Sequence, residues 1–600
     1  MGPEPPAIRV PVGEGSDQWT SRTTRRRVLL VVHNVTSAGR LGDLLPLFDD
    51  DFRVQVLVTS TGSSAFQDGI RELLRTWQLP ELPWEQALST PVDLAVSASF
   101  GGELHRIQGK LTVVSHGVGY TKRLDTPGAG SREPGAGSRE PGAGSREPEA
   151  GSRKPEAGSR KPTFGLSPEW LLSGERPFAE GLVLSHPEQL ARLSRVCAEA
   201  LPSAVLAGDP CFDRMLAARP YRDRFRRALG VRRGQRLVVL NSTWNPEGFF
   251  GSGGQDVLPG LLPRLAAELP ADDYRLAAVL HPNIWYGHGP GQIRAWLDRA
   301  RRAGLLLVDP VRAWRQALLA ADLVLGDFGA VSYYAAALGT PVLLAADGED
   351  VLDEEAPLAA FVRRAPRLDP HAPLLPQVRR GIEGHRPDPA PAGFVTSDPG
   401  RSAELLRRHF YALMDLPEPP GPASLEPLPL PPYGPAKVTA PLHVRTRAEG
   451  ADIVVERSAG HPAGAAGDAH LAVHEETRHP GDLDLADVIT RDGQPDDPRL
   501  GGPEAWTAEV LGLYPHCSTA VYVTGPHTCV VRCRGRRGTF RLAGETGADA
   551  DPAAYASALH AWLAYGGTVP ARGTTLRLHT AGGAHPFRVE TTDRTGARPE

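Results

Sequence analysis

Between Arg27 and Ala346 short apolar runs alternate with helix-patterned stretches, and few architectures accommodate that order. RVLLVV (Arg27 to Val32), RVQVLV (Arg53 to Val58), DLAVSA (Asp93 to Ala98) and LTVVS (Leu111 to Ser115) come first. GLVLS (Gly181 to Ser185) and SAVLAG (Ser203 to Gly208) follow after an interruption. RLVVLNS (Arg236 to Ser242), YRLAAVL (Tyr274 to Leu280), LLLVD (Leu305 to Asp309), DLVLGD (Asp322 to Asp327) and PVLLAA (Pro341 to Ala346) repeat the scheme. A run that is apolar at every position has no solvent face, so both sides of its strand must be covered by helices. The expected fold class is therefore α/β, with two doubly wound Rossmann-like domains in succession.

Three stretches cannot join those cores. Between Gly128 and Pro162, GAGSREP occurs three times and EAGSRKP twice, with no apolar side chain larger than Ala. Such a repeat reads as a solvated, disordered insertion. The Pro-rich run from Asp415 to Pro435 reads as an extended linker, and residues 1–24 as a disordered tail. The expected domains are 25–205, with the insertion at 126–162, then 206–414, a linker at 415–435 and an α+β accessory domain at 436–600. The stretch RSAELLRRHFYALMD near Arg401 has helical apolar spacing and suits a terminal helix crossing back to the first domain.

A net charge of -4 gives no basic field to recruit nucleic acid. No apolar run is long enough for a transmembrane helix, and the opening MGPEPPAIRVPVGEGSDQ lacks a secretory pattern, so a cytoplasmic location is expected. Five scattered cysteines suit a reducing compartment. His516, Cys517, His527, Cys529 and Cys533 cluster like zinc ligands. However, an extended CVVRC would hold its two thiols about 13 Å apart, so no metal is expected.

In open parallel sheets ligands sit beyond the carboxyl ends of the strands. Those ends carry His33 and Asn34, the segment Ser115 to Arg123, Thr243, His281 and Asn283, and GDFGAVSYY from Gly326. In GDFGAVSYY a strand runs into Gly326, Asp327 and Gly329, with Ser332 in the first turn of a helix, an arrangement suited to phosphate. His116 and His281 each follow a strand, one per domain. Facing each other across a cleft, one would take a proton from a hydroxyl and the other would steady phosphate charge.

Taken in order, these motifs resemble the CDP-glycerol glycerophosphotransferase family, which makes teichoic-acid-type polymers on a two-domain GT-B scaffold. SHGVGYTK looks like that family's Trp-His-Gly-Thr-Pro-x-Lys loop, placing His116, Gly117 and Lys122. AGDPCFD (Ala207 to Asp213) is similar to its Gly-x-Pro-x-x-Asp turn, NSTWN to Ala-Pro-Thr-Trp-Arg, and HPNI to Leu-His-Pro. GDFGAVS looks like the stretch that carries Asp-Tyr-Ser-Ser. Ser115 replaces the Trp, the Pro is missing, and Gly329-Ala330 replaces the Ser pair, which leaves donors other than CDP-glycerol open. The resemblance implies a transferase moving a phosphoglycerol or glycosyl unit from a nucleotide-diphosphate donor to a hydroxyl or polymer acceptor. Lipid-linked acceptors at the inner membrane face are included, with peripheral membrane contact in that case. His116 and His281 would be catalytic; Gly326, Asp327, Gly329, Ser332 and Thr243 would hold the donor; Gly117, Lys122, His33, Asn34 and Asn283 would line the cleft. No cofactor is implied. Nucleotide-sugar 2-epimerization on the same scaffold and non-catalytic nucleotide binding are the alternatives.

Overall fold

The structure is a computed structural model that describes residues 7–115, 117–124, 161–253, 256–346, 348–460, 468–570 and 573–592. The first sheet is built from β1 (Arg26–Val32), β2 (Val54–Ser60), β3 (Glu81–Leu82), β4 (Leu94–Ser97), β5 (Lys110–Val113), β6 (Gly181–Leu184) and β7 (Ala204–Leu206). Their order is β3-β2-β1-β4-β5-β6-β7, and the pairings are parallel. Val28 to Val32 are each 0% exposed because β1 is covered on both faces: Val28, Leu30 and Val32 enter one core, Leu29 and Val31 the other. That burial is why β1 reads as an unbroken apolar run.

The second sheet comprises β8 (Arg236–Ser242), β9 (Tyr274–Leu280), β10 (Leu306–Leu307), β11 (Leu323–Gly326) and β12 (Val342–Leu344), in the order β10-β9-β8-β11-β12 and all parallel. The helices that matter below are α1 (Val35–Gly42), α2 (Pro210–Ala218), α3 (Pro282–Gly287), α4 (Ala330–Ala337) and α5 (Ser402–Leu413). α5 follows the second unit in sequence but packs on the first. Leu406, Phe410 and Tyr411 join the β1 core, His409 Nε2 meets Thr112 Oγ1 at 3.0 Å, and Tyr411 donates to Asp51 at 2.8 Å.

Beyond the Pro-rich run the chain differs from the expected α+β domain. Nine strands close into a barrel: β13 (Leu442–Glu449), β14 (Asp452–Ser458), β15 (Asp468–His474), β16 (Val488–Asp492), β17 (Thr519–Gly525), β18 (Thr528–Cys533), β19 (Phe540–Gly544), β20 (Thr574–Thr580) and β21 (Gly583–Thr591). Helix α6 (Pro552–Ala564) lies buried against β13, β14 and β17 to β20, with Ala554 to Leu559 all at 0% exposure. Closure depends on β14 pairing with β20, partners more than a hundred residues apart, which no local pattern displays. The barrel is fixed to the second unit by Arg457, whose guanidinium grips Asp272 at 2.6 and 2.8 Å and Asp551 at 2.7 Å.

The N-terminal segment is tied down from Ile8 onward: Gln86 exchanges two hydrogen bonds with the Ile8 backbone, and Ile8 and Val12 pack on the first core. The disordered tail expected over 1–24 is thus restricted, among the described residues, by that pairing. All but the last two residues of the 126–162 insertion lie outside the described residues. All five cysteines are buried free thiols. Among the described residues no helix is long and apolar enough to cross a membrane, and no cluster of His, Cys, Asp and Glu is arranged to hold a metal.

Candidate functional site

Strand order alone sets the second unit's contribution. β9, β8 and β11 are neighbours, so His281, the segment Asn241 to Asn245, and Gly326 to Gly329 emerge in a row from their carboxyl ends. The first unit meets this row with the chain that follows β5. A Cβ on Gly117 would lie 3.9 Å from the Ala330 side chain, so this loop abuts the first turn of α4. Further on, Lys122 bridges antiparallel to Leu352, Arg123 N–H donates to Val351 at 3.0 Å, and Asp353 N–H donates to Thr121 at 2.8 Å. The loop is therefore stitched to the second unit by backbone.

Lys122 crosses the gap. Its ammonium donates to Thr243 Oγ1 at 3.3 Å and Asn245 Oδ1 at 3.2 Å, and lies 6.0 Å from the ring centres of both Trp244 and Phe328. Both hydrogen-bond partners are neutral. Burial pulls its pKa below the usual lysine value, against the opposing fields of Asp327 and Glu247. The acidic groups act on it from a distance and its direct partners among the described residues are neutral, so an anion in the cleft would give it a charged hydrogen-bond partner.

α4 begins at Gly329, whose backbone is extended (φ -80°, ψ 162°), with no side-chain cap on the helix N-terminus. Asp327 is 0% exposed and inward-facing: Oδ2 accepts from the N–H groups of Thr243 (2.8 Å) and Phe249 (3.0 Å), and Oδ1 from Gly329 (3.0 Å). It pins the β11 turn to the loop after β8 and has little capacity left for a ligand. Burial raises its pKa.

Ser332 is likewise 0% exposed and exchanges hydrogen bonds with the Asn241 amide at 3.2 and 3.3 Å. Its hydroxyl packs behind Gly326, where a Cβ would come within 2.3 Å of Ser332 Oγ. This is the physical reason for glycine at 326, and it differs from the expected hydroxyl donation into the cleft. What the turn offers there is the backbone N–H groups of α4's first turn and the space left by Gly329, where a Cβ would sit 3.2 Å from Thr243 Cβ.

The remaining expected residues divide. His281 is the N-cap of α3, its Nδ1 accepting from Asn283 N–H at 3.1 Å, and Asn283 is 8% exposed. His33 is 2% exposed with Nε2 on the Gly101 carbonyl at 2.7 Å, and burial lowers its pKa. Asn34 caps α1 in a reciprocal box with Ser37. Those two organise the first unit's own turn. His116 lies outside the described residues, between Ser115 and Gly117. Asn245 and Trp244 were not singled out by the sequence; their signal was present in NSTWN, one and two positions past Thr243. Trp244 also takes Phe66 of the first unit edge-on at 5.3 Å, closing one side of the cleft.

No protein-family model and no curated protein sequence matches the chain. Among solved structures it is similar to the wall teichoic acid polymerase TagF, at 12% identity over 66% of this chain and 89% of that one, with a TM-score of 0.42. It is also similar to S. aureus MnaA solved with UDP (10% identity, 67% and 100% covered, TM-score 0.39). A UDP-N-acetylglucosamine 2-epimerase gives 12% identity, 67% and 100% coverage and a TM-score of 0.37.

Proposed function

We propose that the cleft transfers a phosphoglycerol or glycosyl unit from a nucleotide-diphosphate donor to a hydroxyl acceptor. The observation that carries this reading is the Lys122 ammonium, held between the two units by neutral oxygens beside the uncapped first turn of α4. A diphosphate there would receive the helix N–H groups and the lysine charge together, in a site pre-formed to stabilise charge on the transferring group. Gly117, which abuts α4, is the next residue in sequence after His116. In this reading His116 accepts the acceptor's hydroxyl proton, and His281, at the end of β9, steadies the donor. Thr243 and Asn245 hold Lys122, while Asp327 and Ser332 hold the turn. GT-B transferases of the CDP-glycerol type are the class that the motif resemblance suggests.

The test is binding followed by turnover. CDP-glycerol and UDP-sugars are titrated calorimetrically, and the binder is incubated with glycerol phosphate or polymer acceptors. Nucleotide release that requires acceptor is expected. His116→Ala should abolish turnover and leave donor affinity within a few-fold. An epimerised nucleotide sugar without acceptor, or donor binding with no turnover at all, would overturn the transfer reading.

A further inference from the structure

The Pro-rich run after α5 is a strap laid over both units. Leu425 packs on the core of the first unit, and Leu428, 8% exposed, joins that of the second. Pro431 is buried and Gly434 half-buried, while every position between these four is exposed. An inward contact at each third residue is the pattern of a polyproline II helix. The sequence favours that form, because each Pro fixes its own φ at about -65° and steers the residue before it toward extended backbone. Side chains beneath the strap hold it in place. Arg214 of α2, which also pairs with Asp43, donates to the carbonyls of Glu426 at 2.6 Å and Pro427 at 3.3 Å. Gln316 donates to Pro429 at 2.9 Å and Arg275 to Gly434 at 3.2 Å.

A helix of about three residues per turn has three rows, and here the row of Leu425, Leu428, Pro431 and Gly434 is spent on the protein itself. The other two face solvent. One carries Glu426, Pro429 and Pro432, so the P-x-x-P spacing falls on a single exposed row; the other carries Pro427, Leu430 and Tyr433. Leu430 is 62% and Tyr433 72% exposed, large apolar side chains that the strap holds out side by side. Charge marks one end of the pair of rows. Glu426 stands near Asp49 and Asp50, all three are exposed, and among the described residues none of them has a basic ion-pair partner. Partial burial and the field of its two acidic neighbours raise the pKa of Asp49, so that end favours cations.

We infer that the strap docks a protein module whose aromatic-lined groove reads polyproline II and carries Lys or Arg beside the end that receives Glu426. Such grooves insert aromatic ridges between two rows of the ligand and leave the third untouched, which is the row this chain has already used. Binding would also be spared much of the ordering cost that a free proline-rich peptide bears, since the strap is pinned along its length. The surface is separate from the cleft and does not depend on the transferase reading.

Calorimetry of the full chain against isolated WW modules tests this, one set with basic and one with acidic residues beside the groove. The basic set should bind with micromolar Kd, more weakly as salt rises, and at least tenfold more tightly than the acidic set. Leu430→Ser combined with Tyr433→Ser should weaken binding tenfold or more. The triple change Asp49→Asn, Asp50→Asn and Glu426→Gln should weaken it threefold or more and flatten its salt dependence. If the first variant unfolds, the triple variant still decides. No binding by the basic set, equal binding by both sets, or affinity unaltered in either variant would overturn the inference. So would sedimentation showing that wild type self-associates and that the Leu430 and Tyr433 changes abolish it, because the strap would then be covered by a second copy of the chain.

Discussion

Replacing Lys122 by Met separates a binding role from a structural one, because the two predict opposite signs. Among the described residues the ammonium's hydrogen-bond partners in the free protein are Thr243 Oγ1 and Asn245 Oδ1, at 3.3 and 3.2 Å, and burial depresses its pKa, so its charge is a burden on the folded state. Methionine of similar length removes that burden, and the free protein should melt at the same temperature or a few degrees higher. With donor bound the ammonium would make hydrogen bonds to phosphate, each contributing about 1.5–3 kcal/mol. Losing one such bond weakens donor affinity by a factor of about 10–150. The pH dependence follows from the same group. Lysine binds an anion only when protonated, so wild-type donor affinity should fall as pH rises through its lowered pKa, and Lys122→Met should lack that fall. Thermal melts with and without CDP-glycerol, and calorimetry across pH 7 to 10, measure all of this. A free-protein melting temperature that drops by more than about 4 °C, with donor affinity unaltered, would refute the argument and make Lys122 a clamp between the units.

Ser332→Ala should leave donor affinity within about twofold by calorimetry, since the hydroxyl serves Asn241; Gly326→Ala should cost about 1–3 kcal/mol in urea unfolding, much of it recovered in the double variant that removes Ser332 Oγ. Asp43→Ala strands two arginines that face a single carboxylate, and a loss of about 3–5 kcal/mol is expected by the same unfolding measurement. Asp273 has its pKa raised to about 6 by burial beside Asp272, where it accepts from Ala581 of the barrel at 2.8 Å. A raised carboxyl contributes stability that is complete below its unfolded value near 4 and lost as pH climbs to about 6. Wild type should therefore lose on the order of 2–3 kcal/mol over that window relative to Asp273→Asn, as read from paired melts.

The parallel sheets were legible because covering both faces of a strand erases polar positions, as in Val28 to Val32. LLLVD was over-read: only Leu306 and Leu307 pair, since this is the sheet's edge and Asp309 already caps the next turn through its bonds to the Val311 and Arg312 N–H groups. The turn at Gly326 was visible as a motif, but the direction of Ser332 was not. Hydroxyl orientation depends on Asn241, some ninety residues earlier in the chain. Arg40, Asp43 and Arg315 carried no signal at all, because ion pairs between residues far apart in sequence have no period. The barrel was hidden for a related reason. Alternating strands announce a half-buried sheet, and nothing in them states that β14 and β20 will meet.

The return of α5 to the first unit has a consequence for biosynthesis. When residue 206 leaves the ribosome every strand of the first sheet exists, yet the surface that Leu406, Phe410 and Tyr411 will cover is still bare. Roughly 200 further residues must be translated before that helix appears, on the order of 10–40 s at ordinary elongation speeds. During that interval the nascent chain carries an exposed apolar groove that its own C-terminal half must later seal. A fragment ending at the first unit's last strand should therefore be sticky, and the same fragment supplied with a peptide spanning 402–414 should recover solubility.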